Sequence, residues 1–212
     1  MCSKEITVLI DNESWILPYG EQIVETLIDN GYSAVMARSA EEVRSGWVNF
    51  ILGCTRIISG HVLALNSHNI VVHESNLPSG RGFAPMSWQV LEGKKSIPIC
   101  LIEAVEEVDS GDIWIKDHII LTGDELCDDW RRLQGEKTIE LCLRFVFEYG
   151  SLIPKKQVGI SSYYERRRPD ASRLDPDKTI KEQMNLLRIV DNHRYPAFFE
   201  INGIKYYLHI SK

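Results

Sequence analysis

Two side chains suited to acid–base work stand close to one glycine-rich loop in this sequence. His73 ends the apolar run Ile70-Val-Val72. Asp109 sits in the turn Val108-Asp-Ser-Gly-Asp-Ile113. The loop Glu74-Ser-Asn-Leu-Pro-Ser-Gly-Arg-Gly82 follows the histidine, and Pro85 then opens a helix through Trp88. An imidazole can donate to an oxyanion that develops on a carbonyl under attack. A carboxylate beside it can orient the ring. Asn76, inside the loop, would add an amide to the same pocket. Taken singly, each has a plainer reading: a structural histidine, a turn-forming aspartate, an Asx turn.

The elements that must position these groups read as follows. Residues 6–10, 33–36, 50–52 and 69–73 have strand character. Residues 21–30 have helical spacing (Ile23, Val24, Leu27, Ile28) before a stop at Gly31, and 40–44 form a short helix begun at Ser39. This alternation argues for a parallel sheet with helices on its faces. Such sheets gather binding residues beyond the carboxyl ends of their strands, where His73 stands. Residues 85–92 form a helix, 98–104 and 113–121 are strands flanking Asp109, and 123–149 are a long helical stretch. The tail changes character. Residues 163–170 are polar, aromatic and basic, 177–190 read as a helix, and 198–208 as a hairpin turning at Asn202-Gly203. The expected fold is α/β: a Rossmann-like core with a mainly parallel sheet over residues 1–150, and a small helix-and-hairpin extension over 151–212.

Bulk properties narrow the function. The chain has 212 residues, 25% charged and 44% apolar, with a net charge of -6. That composition is ordinary for a globular protein. The acidic balance argues against a general nucleic-acid binder, which clusters Lys and Arg against phosphates. No run approaches the roughly 20 apolar residues of a spanning helix, and the first residues do not form a signal peptide. Cys2, Cys54, Cys100, Cys127 and Cys142 are scattered with no Cys-x-x-Cys pair. Reduced thiols, no metal, no membrane partner and a cytoplasmic location are expected.

The block from His73 to Trp88, together with the Asp-x-Gly turn at Asp109, resembles the N10-formyltetrahydrofolate-dependent formyltransferases. Their first block reads roughly Asn-x-His-x-Ser-x-Leu-Pro-x-x-Arg-Gly-x-x-Pro-x-x-Trp, and the spacing here needs no gap. The resemblance implies a Rossmann-like formyltransferase core, N10-formyltetrahydrofolate as co-substrate, no metal, and His73 with Asp109 as the catalytic pair; Asp112 is the weaker carboxylate. It also implies that Leu52, Gly53, Cys54, Thr55, Arg56 and Ile57, with Gly80, Arg81, Gly82 and Asp109, border the reduced-folate pocket. Arg81 either meets a ligand anion or buttresses the loop, and buttressing is the preferred reading. The family's asparagine is replaced by Val71, which cannot hydrogen-bond an oxyanion. Asn76 is the preferred substitute, with Asn69 and Asn66 as alternatives.

Among the family's acceptors, the amine of an amino-deoxy sugar on a nucleoside diphosphate fits this chain best. The Gly80-Arg81 pair and the tail Tyr164-x-Arg-Arg-Arg-Pro-x-x-Ser172 are similar to sugar-nucleotide members. The resemblance then implies that Arg166, Arg167, Arg168 and Arg188 meet the diphosphate, since guanidinium groups bind it bidentately. Tyr163 or Tyr164 would stack on the base. A run of arginines is also, more simply, a solvated face, and Arg188, on a helix face beside Leu187 and Ile189, reads equally as a helix-surface ion-pair partner. Another amine acceptor, such as a carrier-bound peptide or a glycinamide ribonucleotide, and a non-catalytic folate or nucleotide binder are the competing readings. Oligomeric state is open, a homodimer among the options.

Overall fold

The computed structural model describes residues 5–212. Cys2 and the start of the stretch read for a signal peptide lie outside the described residues. In chain order the elements are β1 (Ile6–Leu9), α1 (Leu17–Asp29), β2 (Ala34–Ala37), β3 (Gly46–Ile51), α2 (Gly60–Leu63), β4 (Asn66–His73), β5 (Arg81–Gly82) and α3 (Pro85–Leu91). Then follow β6 (Ser96–Glu103), β7 (Ile113–Ile120), α4 (Cys127–Glu148), β8 (Tyr163–Tyr164), α5 (Met184–Arg188), β9 (Ala197–Ile201) and β10 (Ile204–Leu208). Six strands make one sheet in the order β2-β1-β3-β4-β6-β7. The first four run parallel, and β6 and β7 close the edge antiparallel. The architecture is the mainly parallel, Rossmann-like α/β fold that the sequence implies.

β1 is buried along its whole length, as a strand covered on both faces must be. Ile23, Val24 and Leu27 of α1 and Leu141, Cys142 and Phe145 of α4 pack on one face of the sheet in the main core. A smaller cluster of Leu9, Ala37, Val43, Ile51 and Val62 covers the other face. The chain leaves β1 for β2 on one side and returns to β3 on the other. A crevice therefore opens beyond the carboxyl ends of β1 and β3.

Several boundaries differ from the sequence reading. α1 starts at Leu17 with proline in its first turn, where the missing N–H costs nothing. The helix expected at 40–44 is a 3-10 turn, Ala40–Glu42. The helix expected at 177–190 shrinks to α5. The Gln183 side chain bonds the backbone of Asp175, Lys178 and Thr179 and holds the preceding residues in turns. The hairpin forms as expected, with Asn202 and Gly203 at φ 52° and 77°, the left-handed geometry of a two-residue turn.

The tail has its own small core of Leu174, Leu187, Val190 and Ala197. Arg188 fixes it to the start of α4. Its side chain is 2% exposed, and its Nη2 lies 3.3 Å from Glu125 Oε2. Its Nε donates to the Glu125 carbonyl at 3.1 Å, and Trp130 Nε1 donates to the Arg188 carbonyl at 2.9 Å. Burial pushes the Glu125 carboxyl up, but the N–H groups of Thr122 and Gly123 more than offset this and hold it at about 2.

Removing one member of a buried ion pair leaves the other uncompensated, so Arg188→Ala should lower unfolding free energy by about 3 kcal/mol or more. Arg188→Met should cost less; urea titrations of both variants check this. Because the folded Glu125 value lies below the ordinary one, its contribution is complete above the ordinary carboxylate range. It is lost as pH falls from there toward about 2. Thermal melts between neutral pH and pH 2 should show a shallower acid-induced fall in Glu125→Gln than in the parent.

Candidate active site

His73 is the last residue of β4 and is buried. Its Nδ1 lies 3.5 Å from Asp109 Oδ1, and the two side chains are 7% and 9% exposed. Its Nε2 donates to the Gly80 carbonyl at 2.9 Å, so that nitrogen carries a hydrogen. Asp109 stands in the β6–β7 connection with φ 58°, a left-handed conformation that aspartate tolerates better than most residues. Its other carboxylate oxygen accepts the Gly82 N–H at 2.9 Å. Gln157 holds the turn from outside: its Nε2 donates to the carbonyls of Asp109 (2.8 Å) and Gly111 (2.9 Å).

The loop between His73 and α3 is strapped by the tail. β5 pairs parallel with β8, matching Arg81 to Tyr163 and Gly82 to Tyr164. Gly80 N–H donates to Ser162 Oγ at 2.9 Å, and Arg81 N–H to the Ser162 carbonyl at 2.9 Å. Glycine is required at 82: φ is 97°, and a Cβ there would come within 2.4 Å of the Tyr164 carbonyl oxygen. Trp88 stacks on Tyr164 with centroids 6.1 Å apart and planes 5° off parallel, and donates to the Glu165 carbonyl.

A cleft of about 520 Å³ opens at the carboxyl ends of β1, β3 and β4, within the size range of small-ligand pockets. Asn12, Ser14 and Trp15 line it from the turn after β1, and Leu52, Gly53, Cys54, Thr55, Arg56 and Ile57 from the segment after β3. His73, Glu74, Gly82, Phe83 and Asp109 line its middle, and Trp130, Arg131, Gln134 and Thr138 of α4 its far wall. Asp11 organises the 52–57 segment by accepting the N–H groups of Thr55 (2.9 Å) and Arg56 (3.1 Å). Burial pushes Cys54 up to about 12, so the cleft holds a thiol rather than a thiolate nucleophile. A second cavity of about 580 Å³ adjoins the cleft and shares Ser14, Trp15, Arg131 and Arg194 with it. Among the described residues, no group of three or more His, Cys, Asp or Glu could hold a metal, and no helix is long and apolar enough to cross a membrane.

The structure brings together His73, Asp109, Gly82 and the whole 52–57 segment. Arg81 points away, into a cluster with Glu107 (2.9 Å) and Gln157 Oε1 (3.1 Å), which is the buttressing geometry. Gly80 reaches the site only through its carbonyl. Other expected residues lie outside the cleft lining. Asn76 is exposed and does not line the cleft, because the loop turns outward there and its carbonyl accepts the Ser79 N–H. Arg188 is buried in the Glu125 contact and lines neither the cleft nor the adjoining cavity. Tyr164 has its ring against Trp88 and its hydroxyl on Glu92 Oε1. Arg167 is held by the Ile189 carbonyl and Ser172 Oγ. Asn69 and Asn66 are engaged by the Leu63 and Arg44 carbonyls and lie outside the cleft lining. Arg168 and Tyr163 are exposed, and Arg166 lies 5.7 Å over Phe83 at the cleft rim.

Sequence reasoning missed Trp15, Glu74, Arg131, Gln134, Thr138 and Arg194. Arg131 sits between the rings of Trp15 and Trp130 and bonds Asp191 at 2.9 Å. Nothing in the sequence separates an arginine on that helix from an ordinary surface one.

Residues 32–136 match the family model described as formyl transferase. Among curated proteins, the methionyl-tRNA formyltransferase of Clostridium beijerinckii is 24% identical over 136 residues, which cover 63% of this chain and 44% of that protein. Among solved structures, a 4-N formyltransferase from Francisella tularensis has a TM-score of 0.72 at 18% identity, covering 98% of this chain and 97% of that one. HypX from Aquifex aeolicus in complex with tetrahydrofolic acid has a TM-score of 0.76 at 17% identity, covering 94% of this chain and 36% of that one. At these identities the structural likeness shows the fold. The chain spans less than half the length of the curated relatives it matches. His73, Arg81 and Asp109 all fall within the segment that matches the formyl transferase model.

Proposed function

We propose that this chain transfers the formyl group of N10-formyltetrahydrofolate to the amine of a nucleotide-linked amino-deoxy sugar, residues 1–150 forming the catalytic part and 151–212 supporting it. The observation that carries the transfer is the His73–Asp109 contact at 3.5 Å beside a ligand-sized cleft. In this reading the amine attacks the formyl carbon, and the His73 Nε2–H, held by the Gly80 carbonyl in this structure, turns to the oxyanion that develops. Asp109 fixes the ring through Nδ1, while its second oxygen holds the loop through Gly82. The reduced folate lies along residues 52–57, whose apolar side chains and backbone suit a flat heteroaromatic ring. The tetrahydrofolate bound by HypX, a protein of the same fold, supports that ligand class.

The acceptor rests on two lines of support. The Francisella 4-N formyltransferase matches this chain nearly end to end, tail included. Of the tail arginines that the sequence singled out, Arg167 and Arg188 are engaged within the protein. The acceptor is assigned instead to the adjoining cavity at Trp15, Arg131 and Arg194, where a guanidinium and an indole can meet phosphate and base. Methionyl-tRNA is the second reading, favoured by the curated relatives. The net charge of -6 weighs against it.

Purified protein with N10-formyltetrahydrofolate should formylate members of a panel of nucleotide-linked amino sugars, read by mass spectrometry, and leave charged initiator tRNA unmodified. The reverse pattern would replace the acceptor. His73→Ala and Asp109→Asn should each lower kcat on the order of 10²-fold or more, with folate affinity by calorimetry changing far less. Gln157→Leu removes the donors that hold the Asp109 turn. It should destabilise the protein by about 1–3 kcal/mol in urea melts and depress kcat more than KM.

A further inference from the structure

Glu74 follows His73 directly and is buried at the end of β4, yet it lines the same cleft as His73 and Asp109. Its backbone is pinned by Gln89 of α3, whose Nε2 donates to the Glu74 carbonyl at 2.5 Å. Its carboxyl lies against the Gln134 side chain of α4. Gln134 Oε1 is itself buried and has no hydrogen-bond partner among the described residues. An amide can serve a carboxyl in either protonation state. Its NH₂ donates to a carboxylate, and after a half-turn its oxygen accepts from the acid O–H. The orphaned Gln134 oxygen is the acceptor that a neutral Glu74 would need.

We propose that Glu74 is the acid/base group that takes the proton from the incoming amine in the transfer described above. The proposal rests on that reading for its substrate. The amine nitrogen bonds the formyl carbon and one of its protons passes to the Glu74 carboxylate. The C–N10 bond then breaks with its electron pair on N10, which takes a proton back. A formyl group moves one way and a hydrogen the other. His73 is then not needed as the base, because the proton from the amine has its own acceptor.

The charged surroundings suit a carboxyl that must exchange a proton. Burial pushes Glu74 up from the ordinary carboxylate range, and the nearby His73 opposes this only in part. Asp109 of the β6–β7 connection pushes it further up, and Cys100 of β6 also faces it. The helices packed on it present neutral Gln89 and Gln134, while Arg131 and Arg194 stand on the cleft wall.

Three measurements on Glu74→Gln, Glu74→Asp and the parent test this, with thermal melts to confirm folding. Turnover against pH should show an acid limb in the parent. Glu74→Gln should lose it and fall on the order of 10²-fold or more in kcat, with Glu74→Asp recovering part of the rate. Folate affinity should stay within about threefold in both variants. Infrared difference spectra against Glu74→Gln should show a carboxylic-acid band in the parent that titrates above the ordinary carboxylate range, together with the acid limb. Parent-like turnover in Glu74→Gln overturns the proposal, as does equal loss of folate affinity and rate. A Glu74 band that titrates in the ordinary range overturns it even if no acceptor amine is found. Absence of any turnover in the parent, with the expected band present, defeats the formyl-transfer reading and not the assignment of Glu74 as a proton-exchanging group.

Discussion

The Asp109 carboxylate meets two groups at once. One oxygen faces His73 Nδ1 and the other accepts the Gly82 N–H. The histidine ends a central strand, the glycine closes the loop that follows it, and the aspartate lies across the β6–β7 connection. A single buried carboxylate therefore sets the distance between three segments far apart in sequence. Buried carboxylates must be hydrogen-bonded or paired, so the structure around this one is heavily determined. Gln157 grips the Asp109 and Gly111 carbonyls, and a Cβ at Gly111 would fall within 1.8 Å of the Glu103 carbonyl oxygen. The left-handed backbone at Asp109 is kept because these neighbours allow it no other path.

The tail takes part in this arrangement. Ser162 bonds the Gly80 and Arg81 N–H groups, and Tyr164 pairs with Gly82 and stacks on Trp88. The tryptophan of the His73 block thus holds the segment that steadies the histidine's loop. Further along, Arg188 locks the small tail core onto the start of α4. α4 also supplies Trp130, Arg131 and Gln134 to the cleft. Packing at the tail and geometry at the site are therefore the same problem.

How much was legible in the sequence follows from which contacts are local. The strands and helices of the core have strong periodicity, and their order gave the α/β class with His73 at a strand end. The hairpin turn was legible because Asn-Gly encodes left-handed backbone within two residues. The pairing of His73 with Asp109 is long-range and came from the resemblance rather than from any spacing rule. Arg188 stays open in the sequence between a ligand and an ion pair, because a guanidinium beside Leu187 and Ile189 looks the same whether it faces a ligand or a buried glutamate. Tyr164 and Arg167 were misread for the same reason: stacking and carbonyl contacts engage them wherever they meet a partner, and the partners Trp88 and Ile189 are distant in the chain. The 177–190 helix failed because Gln183 offered the backbone a competing set of hydrogen bonds.

The glycine-rich loop has the composition of an anion cradle, in which successive N–H groups converge on a phosphate. Counting its donors gives another answer. The Gly80 and Arg81 N–H groups end on Ser162, that of Gly82 on Asp109, and that of Phe83 on Tyr164. Four consecutive amides are committed within the protein, leaving none to converge on an anion. A negative charge on a ligand in this cleft is not met by these four amides, and Arg56, Arg131 and Arg194 are the guanidinium groups on its wall. Ligand selectivity in this chain is thereby detached from the most recognisable stretch of its sequence, and can change by substitution at those three positions while the loop stays as it is.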